Sequence, residues 1–419
     1  MSAIRANWSN HHTFVASGVH QPETIAQVQE LVAGRAKIRV FGARHSFNGI
    51  ADSPGDLLSL DRLDRVVAID PERRTATVEG GIRYAQLGPV LHRAGFALHN
   101  LASLPHISVA GAVSTATHGS GDRNANLATA VSALDLVTAN GAIVSLSRER
   151  DGERFLGAVV GLGALGVIVR LTLDLQPSFE MRQEVYDDLS LDRLDADFDA
   201  VMAGAYSVSL FTNWQSPRFQ VWMKRRGADE AAPEILFDAR LATVQRHPTN
   251  DASAATWTEQ RGIPGPWHER LTHFRAEFQP GTGAELQSEY FVPRQHARAT
   301  LRAIAGLQDR IAPILKAAEI RTIAADNLWM STCQGEDRVA FHFTWDHDWP
   351  AVSAVLPLIE ERIAPYYARP HWGKLFTQDA AYVRSLYPKR PEFVALAREL
   401  DPTGKFRNDF LDRYVFAEE

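Results

Sequence analysis

A short apolar strand that runs directly into a basic, glycine-bearing turn constrains this chain more than any other feature. The turn lies between Val40 and Asn48 and contains Gly42, Arg44 and His45. Such a turn presents several backbone N–H groups to one point, which suits an anion such as a pyrophosphate. Because His45 stands beside that point, the turn predicts a nucleotide cofactor and a side chain able to bond to it. An ordinary turn with an exposed histidine is the alternative that the spacing leaves open.

Length, composition and charge limit the class of protein. At 419 residues the chain is too long for one ordinary core, and 45% hydrophobic with 22% charged residues is typical of globular proteins. A net charge of -6 offers no basic surface for nucleic acid or an anionic membrane. The sequence has no membrane-length apolar stretch and no secretory signal pattern in its first ten residues. We therefore expect a monomeric cytoplasmic protein with no nucleic-acid or membrane partner.

The sequence does not predict a metal site. Its single cysteine, Cys333, excludes internal disulfides and cysteine-rich metal sites. His342 and His347 lie five residues apart, but no carboxylate stands at a metal-ligand spacing from them.

The order of predicted elements indicates an α+β protein in three segments. Residues 1–180 mix short helices and strands, including a hairpin folded at Asn140-Gly141. Residues 181–370 have longer strands, and we expect helices at His296–Ala317 and Val352–Ala364. This segment is predicted to be a second α+β domain with an antiparallel sheet. Residues 371–419 are expected to pack back on the first domain.

The glycines between Gly161 and Gly166 have the spacing of a dinucleotide-binding fingerprint in the wrong setting. That fingerprint needs a strand before the glycines and a helix after them. Here a helix is expected before them and a strand from Val167 to Leu171 after them. We predict a helix-to-strand turn and no nicotinamide site.

Further runs of residues extend the pattern of the opening turn to a known family. Ala102 to Gly111 and Thr117 to Gly121 resemble the vanillyl-alcohol oxidase superfamily of flavoproteins, and within it the alditol oxidases. The resemblance covers nearly the whole chain, including Ala205–Phe211, Gly265–Arg270 and His371–Lys374.

This resemblance implies FAD, held by a two-part FAD-binding domain in residues 1–180, and a substrate-binding cap domain in residues 181–370. It also implies that His45 is joined to the flavin by an 8α-histidyl bond. The residues that match cofactor-binding positions are Phe41, Gly42, Ala43, Arg44, His45, Ser46, Phe47, Ser103, Ser108, Gly111, Thr115, Ala116, Thr117, His118 and Ile168.

Strand parity predicts a polar face in the second domain. Glu319 and Arg321 lie two apart on one predicted strand, so they project to the same side. His342 and Thr344 do the same on the next strand, whose other side is aromatic. If the two strands pair as antiparallel neighbours, the four side chains form one patch of interleaved donors and acceptors, which suits an uncharged polyol. A solvated sheet face with a Glu–Arg pair is the alternative.

The family resemblance turns this patch into a candidate active site. The residues that it implies for substrate contact are Ser103, Glu319, Arg321, Thr344 and Lys374. The predicted reaction is oxidation of the terminal primary hydroxyl of an acyclic polyol, such as xylitol or sorbitol, to the aldose, with O₂ reduced to H₂O₂. Arg321 and Lys374 are expected to stabilise the developing alkoxide, and Arg321 to lower the pKa of Lys374. Glu319 and, from strand parity, His342 complete the predicted catalytic set.

Two other functions stay open at the level of sequence. One is an aldonolactone oxidase or dehydrogenase acting on a cyclic sugar lactone, because similar His-Trp-Gly-Lys tails occur there. The other is a flavin- or sugar-binding protein without catalytic activity.

Overall fold

Two antiparallel sheets and a small parallel sheet organise the chain. The structure is a computed structural model that describes residues 6–227, 231–248, 254–278 and 283–418.

The first part of the chain alternates short strands and helices. Their bounds are β1 Gly18–His20, α1 Ile25–Gly34, β2 Ile38–Phe41, β3 Asp56–Ser59, β4 Val66–Asp70, β5 Thr75–Glu79, α2 Tyr84–Arg93, β6 Phe96–Ala97, α3 Val109–Ser114, β7 Val131–Val137, β8 Ile143–Ser147, α4 Arg148–Val159, β9 Val167–Asp174 and β10 Gln176–Pro177.

These strands form two sheets, beside the short β6–β10 pair. Strands β1, β3 and β2 pair in parallel, and β2 ends at Phe41, where the glycine-bearing turn begins. Strands β4, β5, β9, β7 and β8 form an antiparallel sheet in that order. The Gly161–Gly166 turn follows α4 and precedes β9, so the predicted helix-to-strand order is confirmed.

The second part of the chain has longer strands. Their bounds, with those of the intervening helices, are β11 Glu180–Ser190, α5 Leu191–Met202, β12 Ser207–Thr212, β13 Arg218–Arg226, β14 Ile235–Leu236, β15 Ala239–Leu241, β16 Gly265–Pro266, α6 Trp267–Arg270, β17 Glu285–Pro293, α7 Ala297–Ala305, α8 Gln308–Ile311, β18 Leu315–Ile323, β19 Arg338–Asp346, α9 Trp349–Ile363 and β20 Arg369–Pro370.

These strands build one large antiparallel sheet whose two faces differ. Its order is β14-β15-β11-β13-β12-β18-β19-β17-β20, with β16 pairing β11 at the side. Residues of α5, α7 and α9 pack on one face, where they form a hydrophobic core with Phe341, Phe343 and Trp345. The opposite face therefore is free to carry polar side chains at alternate positions of the same strands. The mixed helix and antiparallel sheet content confirms the predicted α+β class.

One long helix predicted from the sequence is wrong. The segment His296–Ala317 divides into α7, α8 and a single 3-10 turn at Ala312–Ile314, and it enters β18 at Leu315. Pro313 cannot donate a backbone hydrogen bond to a continuing helix. Beyond it, Ala317 pairs with Thr344 of β19, so tertiary strand pairing overrides the local helical pattern.

The last segment contains α10 Ala380–Ser385, α11 Arg390–Leu400 and α12 Asp409–Leu411. It contacts the first part of the chain: the Ile38 N–H donates to the Lys405 carbonyl, and Asn408 donates to the Asp52 carbonyl. The division into three segments at residues 180 and 370 stays a prediction. Within the described residues, no helix combines the length and apolarity needed to span a membrane.

Candidate active site

The register of the large sheet brings three ionisable side chains into one row. Glu319 of β18 pairs with His342 of β19, and His342 pairs with Glu289 of β17. Directly paired residues project to the same face of a sheet. The predicted antiparallel pairing of the strands that carry Glu319 and His342 is therefore confirmed.

Arg321 lies in the next row of the same face, between two small residues. Its partners across the sheet are Ser209 of β12 and Ala340 of β19. Small neighbours leave room for the long guanidinium to lie along the sheet and reach its partners. Its Nη2 donates to the Glu289 carboxylate at 2.6 Å, and its Nη1 donates to the Ser103 hydroxyl at 3.3 Å.

This face lines a cavity of about 660 Å³. The cavity brings together all six residues predicted for substrate contact or catalysis, which are Ser103, Glu319, Arg321, His342, Thr344 and Lys374. Glu319, Arg321 and His342 on this sheet face are buried, so the solvated sheet face weighed as an alternative is wrong.

Two buried carboxylates flank Arg321. Glu289 lies 2.6 Å from its Nη2 and Glu319 lies 3.6 Å from its Nε. Although burial opposes ionisation, Arg321 holds the pKa of both carboxyls below the usual range. The carboxylates in turn raise the pKa of Arg321, against the effect of burial. The site therefore presents fixed acceptors beside a fixed donor.

Burial keeps three histidines of the cavity, His273, His342 and His371, neutral near pH 7. Burial, followed by nearby Lys374, lowers the pKa of His342 to about 4. Burial also lowers the pKa of His273 to about 4 and that of His371 well below its usual value. A neutral imidazole offers both a donor and an acceptor nitrogen to a hydroxyl.

Lys374 is placed by the segment that follows β20. This segment runs beside β17, since the His371 N–H donates to the Glu289 carbonyl at 2.9 Å. The Lys374 ammonium donates to the Gln287 side-chain oxygen. Burial lowers the pKa of Lys374 to about 8; Arg321 adds to this lowering, while Glu289 opposes it. The expected influence of Arg321 is present, but burial is the larger cause.

The glycine-bearing turn packs directly on this segment. The Phe47 N–H donates to the Gly373 carbonyl at 2.7 Å, and Asn48 Nδ2 donates to the carbonyls of Trp372 and Lys374. These bonds join residues more than 300 positions apart and set His45 at the edge of the cavity. The turn and the polar sheet face therefore belong to one site.

The turn also borders a smaller cavity of about 90 Å³ that glycines make possible. A Cβ on Gly81 would lie 1.9 Å from the Leu60 carbonyl oxygen, and one on Gly80 would lie 2.1 Å from that of Ile168. Gly42 and Gly111 line both cavities and approach Ser108 closely. A continuous glycine-lined cleft of this kind fits an extended dinucleotide.

His45 is enclosed within the site. Its Nδ1 is buried without a hydrogen-bond partner, and Trp8 stacks on the ring with centroids 4.5 Å apart. Burial, and then Lys374, lower its pKa to about 3, so the ring is neutral. The exposed loop histidine considered from the sequence is wrong.

Most predicted cofactor residues line one of the two cavities, and two do not. Those that do are Phe41, Gly42, Ala43, Arg44, His45, Ser46, Ser103, Ser108, Gly111, Thr115, Thr117, His118 and Ile168. Phe47 instead joins the core of the large sheet, and Ala116 is buried behind the cleft with a φ of 53°.

Sequence reasoning missed several residues of the site. Glu289 and Gln287 line the cavity from β17, and the alternation of side chains along this strand is the signal that would have found them. His371 stood within a motif already singled out. His273 lies on an irregular segment between α6 and β17, where periodicity gives no signal.

Comparisons with known proteins agree with this geometry. The model of an FAD binding domain matches residues 16–147, which include the turn, and that of D-arabinono-1,4-lactone oxidase matches residues 284–414. An alditol oxidase of a Streptomyces species is 50% identical over 98% of this chain and 99% of its own length. The chain belongs to the alditol oxidase family. It is an FAD-dependent oxidoreductase, as the resemblance implied.

The chain is also similar to more distant proteins. An L-gulono-1,4-lactone dehydrogenase of Mycobacterium tuberculosis is 30% identical over 99% of this chain and all of its own length. Among solved structures, a cholesterol oxidase from B. sterolicum has a TM-score of 0.80 at 15% identity, covering 98% of this chain and 96% of its own. A xylooligosaccharide oxidase from Myceliophthora thermophila has 0.74 at 16%, covering 96% and 93%. These likenesses support the fold expected for an alditol oxidase of the vanillyl-alcohol oxidase superfamily.

Proposed function

We propose that the enzyme oxidises the terminal primary hydroxyl of an acyclic polyol, such as xylitol or sorbitol, to the aldose and reduces O₂ to H₂O₂. The observation that carries this proposal is the cavity face of β17, β18 and β19, which lies next to the glycine-lined cleft. Its donors and acceptors alternate from row to row, so successive hydroxyls of an uncharged chain find partners of both kinds.

Each side chain of this face has a separate task in holding the polyol. Glu319 accepts from a hydroxyl, Arg321 donates, and Thr344 does either. Ser103 approaches from the other wall and is itself held by Arg321 at 3.3 Å. Because these groups are fixed by one another before substrate arrives, little ordering is needed on binding.

Oxidation of an alcohol removes a hydride from carbon and a proton from oxygen. Bound FAD supplies the two-electron acceptor, and its reoxidation by O₂ yields H₂O₂. Arg321 stabilises the developing alkoxide through its fixed positive charge. Lys374 accepts the proton in its neutral form, which the lowered pKa of about 8 makes accessible near neutral pH.

The chain also offers a covalent anchor for the cofactor. We propose an 8α-histidyl bond to FAD through His45, supported by the buried, unpartnered Nδ1 and by the low pKa of the ring. The glycine-lined cleft beside the turn then holds the pyrophosphate. Mass spectrometry of the denatured protein is expected to give the chain plus one FAD, and His45→Ala to give the chain alone. An unmodified mass for the wild-type protein would contradict the bond.

Substrate class is tested by anaerobic mixing with xylitol, sorbitol, gulonolactone and galactonolactone. The alditols are expected to bleach the flavin and, with air admitted, to form H₂O₂. Bleaching by the lactones alone would assign the chain to lactone oxidation instead. Absence of bleaching by every polyol and lactone would leave a binding protein without catalytic activity.

The proton acceptor has its own test. Lys374→Met removes the amine while keeping an unbranched side chain. At saturating alditol we expect the rate of flavin reduction to fall by about 100-fold or more, within the range typical of general bases. Reduction at the wild-type rate would rule out this task for Lys374.

A further inference from the structure

A chain of buried polar groups extends from Glu319 through His273 to the segment that Lys224 holds. His273 Nε2 is 2.8 Å from Glu319 Oε1, and both side chains are about 95% buried. Lys224, which is 1% exposed, donates its Nζ to the carbonyls of Leu271 at 2.6 Å and Thr272 at 2.9 Å. Burial lowers the pKa of Lys224 to about 7, and both the charged and the neutral amine have enough N–H groups to donate to the two carbonyls.

The surroundings of His273 fix which nitrogen carries its proton. An ionised Glu319 carboxylate only accepts, so Nε2 must be the donor. Nδ1 has no hydrogen-bond partner, and the ring lies among Phe211, Trp222 and Trp257 at centroid distances of 5.3, 5.6 and 5.8 Å. A second proton on Nδ1 would find no acceptor in this aromatic cage. His273 is therefore neutral, and its single N–H, on Nε2, donates to Glu319.

The segment that carries His273 also holds the opposite wall of the cavity. The N–H groups of His273 and Phe274 both donate to the Ser103 carbonyl, at 2.9 and 3.1 Å. The same four residues, 271–274, thus connect Lys224, Ser103 and Glu319. Displacement of this segment moves two proposed substrate contacts together.

We propose that His273 and Lys224 are positioning residues of the alditol site. His273 orients the Glu319 carboxylate and keeps it ionised as an acceptor for a substrate hydroxyl. His273 Nε2 and Arg321 Nε both contact Oε1 of Glu319, so Oε2 of Glu319 is left to accept from the substrate. Lys224 acts one step further back, because it fixes the carbonyls of the segment that carries His273. This inference rests on the proposed function.

The test compares two replacements of similar length at one position. His273→Gln keeps a donor near the position of Nε2, whereas His273→Met does not. With xylitol, we expect His273→Met to raise KM about tenfold, since a hydrogen bond to a charged group is lost, and to change kcat less. His273→Gln should recover most of the affinity. Wild-type KM in the Met variant, or equal loss in both variants, would overturn the proposal.

The acid limb of the pH profile of 1/KM for xylitol provides a readout that packing alone does not move, because it follows Glu319 in substrate binding, whereas Lys374 governs the rate of flavin reduction. Loss of the His273 donor raises the pKa of Glu319, so the acid limb should move to higher pH in His273→Met but not in His273→Gln. The other ionisable groups facing Glu319 are Arg321 of β18, His342 of β19, Glu289 of β17, Lys224 of β13, and Lys374. All of them stay in place in both variants. An unmoved acid limb would count against the proposal.

Lys224 is tested with a matched control elsewhere in the chain. Lys405 is also buried and also donates to two consecutive carbonyls, those of Val32 and Ala33, outside the lining of the cavity. Lys224→Met should raise KM and move the acid limb as His273→Met does, whereas Lys405→Met should lower thermal stability only. If Lys224 acts through His273, the double variant should equal His273→Met alone. Additive effects would overturn the task assigned to Lys224.

Failure of this inference is distinct from failure of the proposed function. If alditols do not reduce the wild-type enzyme, the proposed function is wrong. If they do, and the His273 variants retain wild-type KM and acid limb, only the positioning task is wrong. Flavin absorbance and thermal unfolding of each variant verify that the cofactor site and the fold are intact.

Discussion

At the scale of single residues, the site depends on groups that are buried and yet polar. Arg321 satisfies Glu289 directly, and Glu319 has His273 as a second partner. Removing one member of such a buried pair costs about 3–5 kcal/mol, because the other charge is left without a partner. The arrangement is therefore sensitive to single substitutions, and the residues that line the cofactor cleft are equally constrained.

Gly81 gives a direct test of the cleft. Gly81→Ala is expected to lower the free energy of unfolding by about 1–3 kcal/mol and to reduce bound FAD, because its Cβ would overlap the Leu60 carbonyl. Gly34→Ala is the control, since nothing lies within 4 Å of a Cβ there and the position ends a helix. Denaturant unfolding and flavin absorbance measure both effects. Equal stability and FAD content in the two variants would contradict the close packing.

Lys374 predicts a pH dependence of the reductive half-reaction. Its folded-state pKa lies at about 8, below its usual value, so the neutral amine forms as pH rises through that region. If the amine accepts the substrate proton, the rate of flavin reduction should increase between about pH 7 and 9 and then level off. Lys374→Arg should lose this rise, because arginine stays charged. Stopped-flow reduction by xylitol across this range measures it; a flat wild-type profile would contradict the assignment.

At the scale of elements, the alternation of side chains along each strand explains why one sheet both lines the cavity and forms a hydrophobic core. On β18, Glu319 and Arg321 face the cavity, while Ile320 between them joins the core beneath α5, α7 and α9. The sequence predicted this alternation because parity is a local property of an extended chain. It also predicted the pairing of β18 with β19, since the two strands are consecutive and joined by the single loop 324–337.

Two threonines on opposite faces of the large sheet allow the alternation of side chains to be tested. Thr344 lines the cavity on β19, and Thr322 of β18 lies on the other face with its buried hydroxyl unpartnered. Thr344→Val should raise KM for xylitol by about two- to tenfold through loss of one neutral hydrogen bond. Thr322→Val should leave KM unchanged and stability equal or higher. Steady-state kinetics and thermal unfolding separate the two, and a similar KM change in both would contradict the assigned faces.

At the scale of the whole molecule, the end of the chain returns to its beginning. Arg39 of β2 is buried and donates to the carbonyls of Phe406, Ile50 and Leu162. One guanidinium thus ties the C-terminal segment to the floor of the cofactor cleft. Burial lowers its pKa to about 10, so the cation persists at neutral pH.

Arg39→Met is expected to destabilise the fold by about 3 kcal/mol or more, because several buried carbonyls lose their donor. The matched control is Arg154→Met. Arg154 also contacts the C-terminal segment, at 2.7 Å from Glu399, but the pair is exposed and worth at most about 1 kcal/mol. Denaturant unfolding compares the two variants. Equal destabilisation would contradict a special task for Arg39.

The sequence by itself determined the local features of this protein. These are the glycine-bearing turn with His45, the alternation of polar and apolar side chains along β18 and β19, and the position of Gly161–Gly166 between a helix and a strand. Each feature depends only on residues that are close to one another in the sequence, so the sequence pattern is enough to predict it. Only the tertiary structure decided which of these features contact one another. The turn reaches Lys374 through Phe47, and Glu319 meets His273, across separations that no local periodicity encodes. The same long-range pairing ended the predicted helix at Leu315, since sheet hydrogen bonds and burial outweigh helical propensity.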